Sequence, residues 1–227
     1  QRNEWEITLR EGQAPGRCRL VENSGGGDLE QIPTDEEHLF FRSWRILHER
    51  GFGPDLSAML REAGLEVELR AKNATPISRG LGSSAALRVA SAAVYARTTG
   101  QSDRPAWELA SQLEGHPDNA GAAGLGGLVL GTRDADGRYR LLCPPIHSCW
   151  KVAVAVPQFC LHTAGARDAL PRELPLADAV FNMSRLGFLL EGLKSGDADL
   201  VSLGGQDRWH QEKRARLVPG LLKVMEA

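Results

Sequence analysis

Pro76-Ile77-Ser78-Arg79-Gly80-Leu81-Gly82-Ser83-Ser84-Ala85-Ala86 decides the reading of this 227-residue chain, because a loop too glycine-rich to pack runs into the start of a strong helix. Gly80 and Gly82 remove side chains that would hold an anion off the backbone, and they open dihedrals closed to other residues. Ser83 and Ser84 follow at the helix N-terminus, where unpaired N–H groups and the positive end of the dipole favour a phosphate. A serine-capped strand-to-helix turn uses the same residue types, so the flanks must decide between them.

Upstream, Leu65, Val67 and Leu69 alternate with Glu66, Glu68 and Arg70, the period of a strand with one buried face, which Asn73 and Pro76 end. Downstream, Ala85 to Arg97 reads as a helix whose small residues would let it pack close to a sheet. The loop is not a P-loop, since glycine rather than lysine stands before Ser83, and it lacks the dinucleotide fingerprint.

A second segment, Glu114-Gly115-His116-Pro117-Asp118-Asn119, packs two carboxylates, an imidazole and an amide into six residues. Alone it would read as a capped turn, because Asp118 and Asn119 are ordinary turn and N-cap residues. Beside a phosphate loop it becomes a candidate site.

The pattern Pro-x-x-x-Gly-Leu-Gly-Ser-Ser-Ala-Ala at 76–86 resembles the ATP-binding motif of the GHMP kinases, named for galactokinase, homoserine kinase, mevalonate kinase and phosphomevalonate kinase. The Glu-Gly-His-Pro-Asp-Asn run, with Ala122 and Gly126-Gly127-Leu128-Val129 downstream, resembles the homoserine-phosphorylating branch. His162-Thr163-Ala164-Gly165-Ala166-Arg167, after an expected strand Val152 to Val156, is similar to that branch's Thr-x-x-x-Arg segment. Trp209-His210-Gln211-Glu212-Lys213-Arg214, running into Leu217-Val218-Pro219-Gly220, resembles its His-Gln-Pro-Tyr-Arg segment, with Glu212 and Lys213 in place of Pro-Tyr.

The resemblance implies ATP and Mg²⁺ as cofactors, L-homoserine as substrate, and O-phospho-L-homoserine and ADP as products. Residues 76–86 would wrap the ATP phosphates, with Ser84 and Glu114 as the metal ligands. Magnesium takes oxygen ligands and keeps several waters, so one carboxylate, one hydroxyl and the phosphates form a sufficient cage. Asn119 would orient the substrate, supported by Asp118 and His116, with Asp118 the alternative as general base. Arg167 and Arg214 would pair with the substrate carboxylate and Thr163 would hydrogen-bond nearby; the Glu-Lys departure leaves Arg216 as the alternative to Arg214. Other GHMP small-molecule kinases, such as mevalonate kinase, and an inactive nucleotide-binding fragment are the competing readings.

The implied fold is α+β and two-lobed, with a ribosomal protein S5 domain 2-like N-terminal lobe at 1–150 and part of a ferredoxin-like lobe at 151–227. The family's usual opening Pro-x-x-x-Asn-x-Gly-x-Gly-x-Asp segment and its distant Ser-Gly-x-Gly-Pro loop are not found in the sequence, so a chain clipped at both ends is expected. A possible homodimer in the cytoplasm is the expected setting.

A net charge of -2 gives no case for nucleic acid or membrane partners, and the basic run Arg208 to Arg216 is broken by Glu212. Four cysteines without a Cys-x-x-Cys pair favour free thiols, and the six histidines show no zinc spacing. For the scaffold, Gln1 to Arg10 reads as a strand with Trp5, Ile7 and Leu9 on one face, and Asn23 to Gln31 as a mobile connection. Thr34 and Glu37 suggest a capping box before a helix that buries Phe40, Trp44 and Leu47 and ends at Gly51. Pro105 to Leu113 reads as a helix, 127–132 and 139–142 as a hairpin, and Ala177 to Lys194 as a helix. Phe181, Met183, Leu186, Leu189, Leu190 and Leu193 of that last helix are expected mainly in the core.

Overall fold

The computed structural model describes residues 3–25, 29–30, 32–77, 79–101, 103–156 and 170–226. The chain divides into two compact units, Gln1–Cys143 and Pro144–Ala227.

The first unit is built on a three-stranded mixed sheet of β1 (Glu4–Glu11), β2 (Cys18–Gly25) and β3 (Leu65–Asn73), in the order β1-β3-β2. The central strand β3 runs antiparallel to β1 and parallel to β2. Its alternation buries Val67, Leu69 and Ala71 on the inner face, as the sequence predicts. On the other face Glu68 is buried too, because Arg10 and Arg19 both ion-pair with it and cover it. The expected connection over Asn23 to Gln31 is corrected at its start: Asn23, Ser24 and Gly25 pair with Ala71, Lys72 and Asn73. This end of the strand is held by backbone pairing and by Asn73 Nδ2 donating to Asn23 Oδ1 at 2.8 Å, not by the apolar alternation that buries Cys18 and Leu20 at its start.

Helices cover the inner face. The helix α1 (Leu39–Glu49) is capped by His38, whose Nδ1 accepts from the Phe40 N–H at 3.3 Å, and not by the expected Thr34–Glu37 box. Glu37 instead pairs with Arg45 at 2.8 Å. Phe40, Trp44 and Leu47 are buried as expected, each contributing roughly 1.5–3 kcal/mol of apolar burial. Gly51, at φ +77°, lies just past the helix end, with its N–H on the His48 carbonyl.

A shorter helix, α2 (Leu56–Glu62), is capped by Asp55 and precedes β3. After the loop comes α3 (Ser83–Thr98), whose small residues Ala92 and Ala96 lie in one core with Val67, Leu69 and Ala71 of the sheet. It packs against α1, α4 (Ala106–Glu114) and α5 (Asp118–Leu125). The α1–α3 seam is keyed by buried hydrogen bonds: Trp44 Nε1 donates to the Ser91 carbonyl at 3.0 Å and Ser91 Oγ to the Phe40 carbonyl at 2.6 Å. The expected antiparallel hairpin, β4 (Leu130–Arg133) and β5 (Tyr139–Leu142), closes the unit around the turn Asp134-Ala135-Asp136-Gly137.

In the second unit α6 (Leu176–Ser195) folds back on α7 (Ala198–Gly204), where the absence of a side chain at Gly192 lets the backbones meet. The short helices α8 (Gln211–Ala215) and α9 (Leu221–Glu226) follow. Two expectations are corrected. Met183 and Leu186 are 77% and 49% exposed, because α6 packs chiefly on α7 through its glycine-containing face. The stretch 152–156 forms no strand: no described residue pairs with it, and Val152, Val154 and Val156 are exposed. Among the described residues no helix is long and apolar enough to cross a membrane.

Candidate active site

The loop between β3 and α3 is open. Gly80 and Gly82 have φ of +73° and +75°, a left-handed region that costs other residues roughly 1–2 kcal/mol, and a Cβ on either would meet nothing within 4 Å. Both glycines are therefore required by backbone shape and not by crowding. Gly80, Leu81 and Ser84 are exposed, so the loop presents its backbone to solvent.

Gly82 is the N-cap of α3 and supplies no side-chain bond, while the first helical bond runs from the Ala86 N–H to the Gly82 carbonyl. The serines do not cap; Ser83 and Ser84 occupy the first two helical positions. The N–H groups of the first turn consequently face outward beside two hydroxyls, the arrangement that holds a phosphate. Ala85 is buried and anchors this turn to the core. Ser78 lies outside the described residues; Pro76, Ile77 and Arg79 are partly buried along the approach.

The second predicted segment folds as the joint between α4 and α5. Gly115, at φ +81°, terminates α4 right after Glu114, and Pro117 starts α5. Pro117 is buried under β4, and a Cβ at Gly131 would sit 2.5 Å from its Cγ. His116 Nδ1 lies 2.5 Å from Asp118 Oδ1, and the same carboxylate oxygen accepts the Asn119 N–H at 2.7 Å. Partial burial pushes the Asp118 carboxyl up, but the Asn119 amide and the His116 ring outweigh it and hold the group below the usual carboxylate range. Asn119 is exposed at the start of α5.

One residue that sequence reasoning missed joins the two segments. Arg88 Nη1 donates to Glu114 Oε1 at 2.5 Å, with the two side chains only 21% and 11% exposed. Arg88 follows Ser84 by four residues, so both lie on one face of α3. This ion pair brings Glu114, at the end of α4, to the face that carries Ser84. The remaining oxygen, Glu114 Oε2, lies 4.0 Å from His116 Nε2. No spacing signal marks Arg88, which reads as an ordinary helix-surface charge.

The donor chemistry fits a hard cation: an anionic oxygen at Glu114 and a hydroxyl at Ser84, with phosphate oxygens to complete the shell. Among the described residues there is no group of three or more His, Cys, Asp or Glu that could hold a metal without a ligand's help. Thr163 and Arg167 lie outside the described residues. Arg214 is partly buried on α8 and Arg216 is exposed at its end. The approach to α8 is fixed by Asp207, whose Oδ2 accepts the N–H groups of Trp209, His210 and Gln211 at 3.0, 2.7 and 2.7 Å.

A strand, a left-handed glycine loop and an open helix N-terminus facing a carboxylate-bearing joint define a kinase of the GHMP class, and the family model for the GHMP kinases N-terminal domain matches residues 48–127. The chain is 37% identical to a homoserine kinase of Prochlorococcus marinus strain MIT 9515, over 99% of this chain and 68% of that protein. It is 42% identical to the homoserine kinase of strain MIT 9303, with the same coverage of 99% and 68%. Among solved structures, homoserine kinase from Cytophaga hutchinsonii superposes with a TM-score of 0.68 at 25% identity, covering 98% of this chain and 69% of that one. The chain belongs to the homoserine kinase family of GHMP kinases.

Proposed function

We propose that this chain transfers the γ-phosphoryl group of ATP to the hydroxyl of L-homoserine, giving O-phospho-L-homoserine and ADP on the route to threonine. The observation that carries the reading is the exposed α3 N-terminus with its two left-handed glycines, joined by Arg88–Glu114 to the His116–Asn119 turn. The loop at 76–86 would hold the phosphates through backbone N–H groups, and Mg²⁺ would take Ser84 and Glu114 as its protein ligands. When bound, the cation neutralises charge on the transferring phosphoryl group.

Phosphoryl transfer through a loose transition state needs positioning and charge neutralisation more than covalent help. Asp118 supports that reading, since a carboxylate held low and already accepting two hydrogen bonds is a weak proton acceptor. Asn119, exposed beside it, orients the substrate hydroxyl, while Arg167 and Arg214 grip the substrate carboxylate with Thr163 alongside. Free thiols at Cys18, Cys143 and Cys149 agree with a reducing, cytoplasmic setting.

The test is ADP release by the 227-residue chain with Mg²⁺-ATP and L-homoserine, mevalonate, galactose or no acceptor. Homoserine-dependent release is expected, with O-phosphohomoserine identified by mass. Release that follows mevalonate, or nucleotide binding without turnover on any acceptor, overturns the proposal.

A further inference from the structure

We infer that Arg88 is a positioning residue that sets the cation affinity of this site: as the standing counter-ion of Glu114, it makes Mg²⁺ enter only with the nucleotide. The inference rests on the reading of Glu114 as the carboxylate ligand. The Arg88–Glu114 contact is short at 2.5 Å, and at 21% and 11% exposure neither group keeps a full hydration shell. It is therefore unlike a surface pair, which salt and water screen to almost nothing. Removing the guanidinium would strand a poorly solvated carboxylate, the situation in which an ion most needs a counter-charge.

Two consequences follow from where the pair sits. Arg88 engages Glu114 Oε1, so Oε2 is the oxygen that would face a cation. A cation at Oε2 would also stand within a few ångströms of a fixed positive charge, a repulsion well above thermal energy in a partly desolvated place. Among the described residues no group of three or more His, Cys, Asp or Glu could hold a metal ion, so the protein alone does not offset that repulsion. A triphosphate can, because it brings several negative charges to the helix N-terminus next to Ser84. The pair thus keeps the nucleotide-free site from collecting free divalent cations while leaving one carboxylate oxygen for the Mg²⁺-nucleotide complex.

The test is titration of Mn²⁺, followed by electron paramagnetic resonance of the free ion, into the 227-residue chain with and without ADP. Wild type and Arg88→Lys should bind Mn²⁺ without nucleotide more weakly than about 1 mM, a level suited to a site with few protein ligands. Arg88→Gln keeps a donor for Oε1 but drops the charge, and should bind at least roughly tenfold tighter, equal to about 1.4 kcal/mol. The double variant Arg88→Gln, Glu114→Gln should lose that gain. A purely structural role would lower thermal stability in both single variants and leave Mn²⁺ affinity alone.

Equal affinity in wild type and Arg88→Gln overturns the inference, as does a gain that survives Glu114→Gln or that Arg88→Lys shares. If Arg88→Gln fails to fold, submillimolar Mn²⁺ binding by the wild type without ADP overturns it equally. No phosphorylation enters these readouts, so failure of the homoserine assay leaves them interpretable. Glu114→Gln with unchanged Mn²⁺-ADP binding removes Glu114 from the cation site, and the inference goes with it.

Discussion

Replacing Gly131 with alanine tests whether the β4–β5 hairpin holds the His116–Asn119 turn in place. A Cβ on Gly131 would lie 2.5 Å from Pro117 Cγ, 3.2 Å from Pro117 Cβ and 3.2 Å from Leu141 Cδ2. Carbon atoms rest at about 3.5–4.0 Å, so about 1 Å has to be found against Pro117. The Leu141 side chain can rotate away, but the Pro117 ring cannot, because it is buried and joined to the α4 cap on one side and α5 on the other. The backbone of the turn must move. Overpacking of this kind costs about 1–3 kcal/mol. At about 3 °C per kcal/mol for a unit of this size, melting should fall by about 3–9 °C. The displacement goes straight into the neighbours His116 and Asp118, so the stabilisation by Mg²⁺-ADP should shrink as well. Gly137→Ala is the control, since its Cβ meets nothing nearer than 3.7 Å and only the local φ of +78° is strained. Calorimetric melts with and without nucleotide report both effects. A Gly131→Ala protein that melts within about 1 °C of wild type, with the same nucleotide response, would refute the reasoning.

Two further outcomes are expected. Burial holds the His38 ring neutral, with its pKa pushed down from 6.5 to about 4, so between those values the unfolded chain takes up a proton that the folded ring refuses. Stability is full above pH 6.5 and should fall by roughly 3 kcal/mol as pH drops towards 4, and His38→Gln should flatten that part of the pH–Tm curve. Asp207→Ala removes the acceptor of three N–H groups before α8 and should cost about 1–2 kcal/mol of stability, measured by urea unfolding. Burial raises the Asp207 carboxyl, but the Gln211 and His210 amides and Asn182 together lower it, so its contribution is present above pH 4 and lost below.

The parts of this chain that the sequence reveals are those where one residue type has one physical use. Gly80, Gly82 and Gly115 take positive φ, Val67 and Leu69 face inward at period two, and Phe40, Trp44 and Leu47 recur at helical spacing. The polar end of β2 escapes such reading because Asn23, Ser24 and Gly25 are held by pairing with β3 and not by burial. His38 displaces the expected capping box through tertiary burial, which no local pattern encodes. In the second unit the apolar periodicity of α6 is real, but period reports only which residues share a face. Met183 stays exposed because its face meets no described neighbour, while Gly192 marks the face that α7 covers.

The candidate site divides along the same line. The anion grip proposed for it is made of backbone, and backbone shape is written in glycines, so residues 80–84 announce it. The cation control inferred for it rests on side chains from two helices, Arg88 on α3 and Glu114 at the end of α4, separated by 26 positions. Neither residue alone has a distinctive setting: an arginine inside a helix usually reads as solvated, and a glutamate at a helix end as incidental. Only their contact converts them into a site property. A substitution in the loop should therefore damage nucleotide affinity as a whole, because every N–H donor shifts with the backbone. A substitution at Arg88 should leave the phosphate grip standing and alter the balance between free cation and cation bound to nucleotide. A single titration of nucleotide against metal should separate the two classes of variant, as the proposed grip and its proposed charge control lie on different groups.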